Sequence, residues 1–212
     1  MIEINYHEKK KFVTPKRLIS NFFPFSISIK VLNENLENGK GNAKKINSQI
    51  SELEKRTSLL GKSINDIDQL GADTENKYAL SQQRTGEQHR VREGSDGMIY
   101  IDTSSDALTI HEVTHVRQSL DAGGLKFEGG ELLNAGVGIR GKSAMEVEAY
   151  RAQYSFDRSF PGSLRGGLQG IDVHSVGNIR KGNGQLQYRY IFEHSQNVKK
   201  QEKIGRKLVA PQ

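Results

Sequence analysis

The sequence predicts an α+β protein: a small, mostly antiparallel sheet, a backing helix, and two later helices that carry histidines and glutamates. Three observations predict it. Apolar residues recur at helical spacing between Asn42 and Leu60, three short strand-like segments separated by turn signals follow between residues 77 and 102, and two helical segments come after them. At 212 residues the chain can bury one sizeable core or two small ones, and without an internal repeat or a composition break one domain is expected.

Residues 1–22 read as a polar N-terminal arm, and 23–197 as the folded domain. Phe25, Ile27, Ile29 and Val31 alternate with Ser26, Ser28 and Lys30, the period of a half-buried strand. From Asn42, the residues Ile46, Ile50, Leu53, Thr57 and Leu60 form one stripe of a charged helix, with Gly61 as its stop and a second short helix over Ile64 to Leu70. Strands are expected at Lys77–Arg84, Glu87–Glu93 and Met98–Asp102. Thr85-Gly86 and Ser95-Asp96-Gly97 serve as tight turns of an antiparallel meander. The next helix spans Ser104 to Leu120, capped by Ser104 or Ser105 with Asp106 in its first turn, and Gly123-Gly124 ends it. A short helical piece is expected around Glu131 to Ala135, a helix from Ser143 to Phe156, and a strand at Gln185 to Phe192. Residues 198–212 read as a basic tail.

The chain has no cysteine, which excludes disulfides and thiolate metal sites, so a metal must sit on His, Asp or Glu. A formal charge of +6 invites a nucleic-acid reading. The basic residues are scattered, however, with small clusters at Lys9–Lys11, Lys44–Lys45 and Lys199–Lys207, and no stripe or known motif. Nucleic acid is therefore not the expected partner. No run approaches the ~18 apolar residues of a membrane span. No signal peptide is visible at the polar, lysine-rich N-terminus, so a cytoplasmic protein, or one exported within a larger chain, is expected.

The segment that carries chemistry is His111-Glu112-Val113-Thr114-His115. Histidines four apart on a helix project from one face about a turn apart, so both imidazoles can reach a single tetrahedral Zn2+. Glu112 points beside the metal, where it can take a proton from metal-activated water and return it to a leaving group. Thr109, Ile110, Val113, Val116 and Leu120 form the apolar face of this helix, and His111 and His115 lie roughly opposite, as a cleft-lining pair would. Two unrelated surface or core histidines would match the motif equally well in composition, but not in this placement away from the packing face.

A third protein ligand is required, with a further position left for water. A histidine six residues beyond His115 would complete one kind of site. Gln118 and Asp121 stand where the glycine and histidine of that pattern belong. That leaves Glu146 and Glu148 on the next helix. Ser143-Ala-Met-Glu146 also reads as a capping box, in which case Glu146 would bond its own helix terminus and Glu148 would be the ligand. Helical angles leave the two glutamates undecided, and Asp121 is a remote third.

His-Glu-Val-Thr-His followed by Glu146-Val-Glu-Ala-Tyr150 resembles the glutamate-ligand (gluzincin) class of zincin metallopeptidases. The string through Gln153 is similar to metallopeptidase domains of bacterial polymorphic toxins and effectors. The resemblance covers about residues 98–156. It implies a zincin-like fold with zinc held by His111, His115 and Glu146, Glu112 as the catalytic base, and hydrolysis of a peptide or protein held along an edge strand at Met98–Asp102 or its neighbour. Tyr150 stands where many members carry Asp or Asn, which puts the supporting role at that position in question. An effector domain would also imply an immunity or inhibitor protein as partner. The alternative is a catalytically inactive zincin-like module that binds metal for stability or serves as a binding domain; Glu112, a base beside the metal, argues against it.

Overall fold

A computed structural model of the chain describes residues 22–83, 89–133 and 138–209, with backbone alone over 22–24, 138–140 and 202–209. Its elements in order are helices α1 (Phe22–Glu37) and α2 (Ala43–Ala72), strands β1 (Tyr78–Gln82), β2 (Arg90–Glu93) and β3 (Ile99–Thr103), and helix α3 (Asp106–Asp121). Strands β4 (Phe127–Glu128) and β5 (Glu131–Leu132), then helices α4 (Gly138–Asp157), α5 (Val173–Gly177) and α6 (Arg189–Val209) complete the fold. The α+β class holds. None of these helices is long and apolar enough to cross a membrane.

The N-terminal arm lies outside the described residues up to Phe22. The strand expected from Phe25 to Val31 is instead part of α1. Phe25, Ile29, Leu32 and Leu36, at helical spacing, are half-buried, while Ile27 and Val31 are exposed. The alternation of the β-branched residues was thus a by-product of a 3.6-residue stripe. Phe25 anchors that stripe under the Arg56 guanidinium of α2, 4.5 Å above its ring.

Helix α2 is one continuous backing helix and does not stop at Gly61. Asn42 caps it by accepting from Lys45 N. Its buried stripe runs Ile46, Leu53, Arg56, Leu60, Ser63, Asp66 and Leu70. Ser63 and Asp66 are polar members, which is why the apolar periodicity fades after Leu60. The burial is satisfied locally: Ser63 donates to Leu59 O, and Asp66 lies 3.7 Å from Arg117 of α3.

The sheet has the order β1-β3-β2-β5-β4 and is mixed, not a meander. β1 pairs parallel with β3, while the β2–β3, β2–β5 and β4–β5 pairings are antiparallel. β3 therefore lies inside the sheet between β1 and β2, with Ile99, Ile101, Asp102 and Thr103 all buried, so of the edge expected at Met98–Asp102 or its neighbour only the neighbour remains. Asp102 is fully buried and accepts from Arg92 Nε at 2.7 Å, which compensates its charge. The helical piece expected at Glu131 is strand β5, because Gly129 (φ +58) and Gly130 (φ +81) form a two-residue hairpin turn that needs two positive φ values. Residues 134–137 lie outside the described residues.

The strand expected at Gln185–Phe192 reduces to one bridge, Arg180 with Leu186, before α6 begins at Arg189. The backbone of the expected basic tail continues α6 as far as Val209. Two core regions result. One joins Tyr150, Tyr154, Ile171, Val176, Ile179 and Ile191 across α4, α5 and α6. The other joins Leu70, Val91, Ile99, Ile101, Val113 and Val116 between the sheet, α2 and α3. Ile110 and Ala152 pack α3 against α4 between them.

Candidate metal centre

Ser105 starts α3 as its N-cap, accepting from Leu108 N, and Asp106 follows in the first turn as the sequence predicts. The sheet-facing side of α3 buries Val113 and Val116. The opposite side is not an open cleft wall. His111 is buried there, its ring edge-to-face with Tyr150 of α4 at a centroid separation of 4.4 Å.

Three donor atoms converge between α3 and α4. The Nε2 atoms of His111 and His115 are 3.2 Å apart, and Glu146 Oε2 lies 3.6 Å from each. Two donors bound at ~2.0–2.1 Å to one tetrahedral zinc are about 3.3 Å apart, so these separations fit a shared ion. The side chains of His111, His115 and Glu146 are 6%, 15% and 9% exposed. Glu146 Oε2 is buried and has no hydrogen-bond partner among the described residues, nor does His111 Nδ1. A buried carboxylate oxygen without a donor is costly unless a cation meets it. The donor set and its geometry therefore fit a metal ion, and the three residues could hold one.

The electrostatics agree in direction. Burial alone would raise the Glu146 carboxyl, but the two imidazoles beside it hold it well below the usual carboxylate range. Burial would lower His115, yet the carboxylates of Glu146 and Glu112 outweigh it and push it up to about 9. The raised value favours a proton on His115 beside the two carboxylates.

The capping-box reading of Glu146 fails because α4 begins at Gly138, five residues before Ser143, so Ser143 is no N-cap. Glu146 and Glu148 are about 200° apart around the helix and cannot face one point. Glu148 instead pairs with Lys62 of α2 and accepts from Gln118 Nε2 at 2.8 Å. Asp121 is exposed and pairs with Arg117. Glu112 is half-buried, and its charge is felt at His89, His115 and Tyr150.

Two residues without sequence context join this neighbourhood. His89 precedes β2 and senses both Glu112 and His111; burial lowers its pKa, and its Nδ1 is buried without a partner among the described residues. Tyr188 precedes α6, and its hydroxyl meets that of Tyr150 at 3.0 Å and also interacts with Glu146. Burial pushes Tyr188 well above the ordinary phenol range, and Tyr190, near the same carboxylate, up to about 12. No local pattern announces either residue, because each arrives from a distant part of the chain. His194 lines a separate cavity of about 400 Å³ with Leu59, Val147, Arg151 and Val173, and none of the three clustered residues borders it. His174 is in the first turn of α5, and His7 lies outside the described residues.

In comparisons with known proteins, the chain matches no family model, no curated protein and no solved structure.

Proposed function

We propose that this chain is a zinc-dependent metallopeptidase in which His111, His115 and Glu146 hold the ion and Glu112 is the general base. One observation carries the reading: three donors from two helices, two of them buried and one half-buried, converge at ligand spacing, and the Oε2 carboxylate oxygen among them has no hydrogen-bond partner among the described residues. When bound, zinc supplies Lewis acidity that makes water a nucleophile near neutral pH. The rest falls to the chain. Glu112 follows the first histidine on the same helix, takes a proton from the attacking water and delivers it to the leaving nitrogen. Tyr150 is buried, and its hydroxyl is bonded to that of Tyr188, which also interacts with Glu146.

Peptide or protein substrate follows from the resemblance of the two motifs, and β1 is the strand best suited to hold it extended. Among the described residues β1 neighbours β3 alone in the sheet, so its outer edge can hydrogen-bond a substrate backbone. The same resemblance supports an effector domain with an immunity protein as partner.

The test is elemental analysis of the purified protein beside His111→Ala and Glu146→Ala variants, followed by digestion of a peptide library. About one zinc per chain in the wild type, lost in both variants, with chelator-sensitive cleavage, is expected. Zinc retained by Glu146→Ala would move the third ligand elsewhere, and zinc without cleavage would leave a metal-binding module.

A further inference from the structure

We infer that Gln118 orients His115 for metal binding, braced from the surface of α2 by Lys62 through Glu148. This rests on the metal-binding reading above and assigns residues that the His-Glu-x-x-His and glutamate motifs do not contain.

Gln118 is three residues after His115 on α3, so the two side chains are neighbours on one face. Its Oε1 lies 2.9 Å from His115 Nδ1. Its Nε2 donates to Met145 O at 3.1 Å and to Glu148 Oε2 at 2.8 Å, both on α4. Those two partners can only accept. The amide must therefore turn its NH2 toward them and its carbonyl oxygen toward the imidazole. In the neutral imidazole that binds a metal, an accepting oxygen at Nδ1 fixes the hydrogen there and leaves the lone pair on Nε2. Nε2 is the atom that faces His111 Nε2 and Glu146 Oε2.

The orientation of the amide is itself held. Glu148 Oε1 is hydrogen-bonded by Lys62 Nζ, so the carboxylate that receives Gln118 is anchored on a third helix. The chain of donors runs from His115 to Gln118 to Glu148, with Lys62 meeting Glu148 from the other side. It ties α3, α4 and α2 together at the edge of the candidate centre. His111 has no equivalent: its Nδ1 lacks a hydrogen-bond partner among the described residues, and its ring is held by packing on Tyr150. The network therefore sets one ligand by hydrogen bonding while the other is set by shape.

The experiment is zinc affinity of the full chain, by competition with a chromophoric chelator, together with the visible absorption spectrum of the Co2+ form. Gln118→Leu removes the acceptor at His115, and zinc affinity is expected to fall about 10–100-fold with an altered Co2+ spectrum. The Gln118→Glu/Glu148→Gln double variant keeps an acceptor at His115 and a donor at position 148, loses the bond to Met145 O, and is expected to recover part of the affinity. Lys62→Met, at a half-exposed position that threatens folding least, is expected to lower affinity less than Gln118→Leu. Wild-type affinity and spectrum in Gln118→Leu would overturn the inference, as would equal impairment in the swapped pair. A wild type that binds no zinc would overturn the metal reading itself, an outcome distinct from the other two.

Discussion

Glu112 illustrates how much one residue's chemistry depends on its place on the helix. It shares a turn with two candidate ligands, yet its side chain is half-buried and its charge reaches His89, His115 and Tyr150. In the proposed reading Glu112 is a base and not a ligand, so it can be neutralised without disturbing the metal. Glu112→Gln is therefore expected to keep its zinc while peptide hydrolysis falls by about 10²–10⁴-fold, measured as metal content and turnover on the same sample. Loss of zinc in this variant would make Glu112 a ligand and remove it as base. The pair Glu146 and Glu148 shows the reverse case, in which two like residues on one helix acquire different tasks. Sequence spacing could not separate them; the partners could, since Glu148 is engaged by Lys62 and Gln118 while Glu146 Oε2 lies beside both imidazoles and has no hydrogen-bond partner among the described residues.

At the scale of elements, the junction between α2 and β1 is held by one carboxylate. Asp73 accepts from the backbone N–H groups of Glu75 and Asn76, from the Asn76 side chain and from the Tyr78 hydroxyl. These bonds, led by that of the Asn76 amide, depress its pKa from the ordinary range to about 2. A folded value below the unfolded one means that the ionised form stabilises the fold. The contribution is complete above about pH 4 and is lost as pH falls through the folded value near 2. Urea unfolding of wild type and Asp73→Asn should therefore differ most near neutral pH and converge toward pH 2. A gap that stays constant with pH would mean that the charge of Asp73 is irrelevant to the junction. Element boundaries also explain the misread segments. Ile27, Ile29 and Val31 carry strand propensity, but α1 forms because Phe25, Ile29, Leu32 and Leu36 find a partner in α2, and packing overrides a weak local preference.

For the molecule as a whole, the joint between α3 and α4 matters most, because the candidate ligands are divided between these helices. Ile110, fully buried against Ala152, Ile64, Ile67 and Phe156, fills that joint. Ile110→Ala is expected to cost about 2–5 kcal/mol in urea unfolding and to weaken zinc binding along with it. A stability loss with unchanged zinc affinity would show that the ligand geometry does not depend on this packing. The mixed sheet has a matching consequence for the proposed substrate: with β3 enclosed between β1 and β2, the outer strands among the described residues are β1 and β4, and β1 is the proposed edge.

By itself the sequence determined the α+β class, the first half of the backing helix, a capped helix beginning at Ser104 or Ser105, and the pair His111 and His115 with Glu112 beside them. These are local properties: periodicity, caps and i,i+4 spacing act within a few residues of one another. Only the tertiary structure decided that α2 runs through Gly61, that β1 and β3 pair in parallel, and that Glu146 meets the histidines while Glu148 turns to Lys62. It also brought in Gln118 as an orienting residue, and His89 and Tyr188 from remote segments. Each of those outcomes depends on which surfaces meet across large sequence separations, where a buried polar atom takes whichever partner the packing delivers.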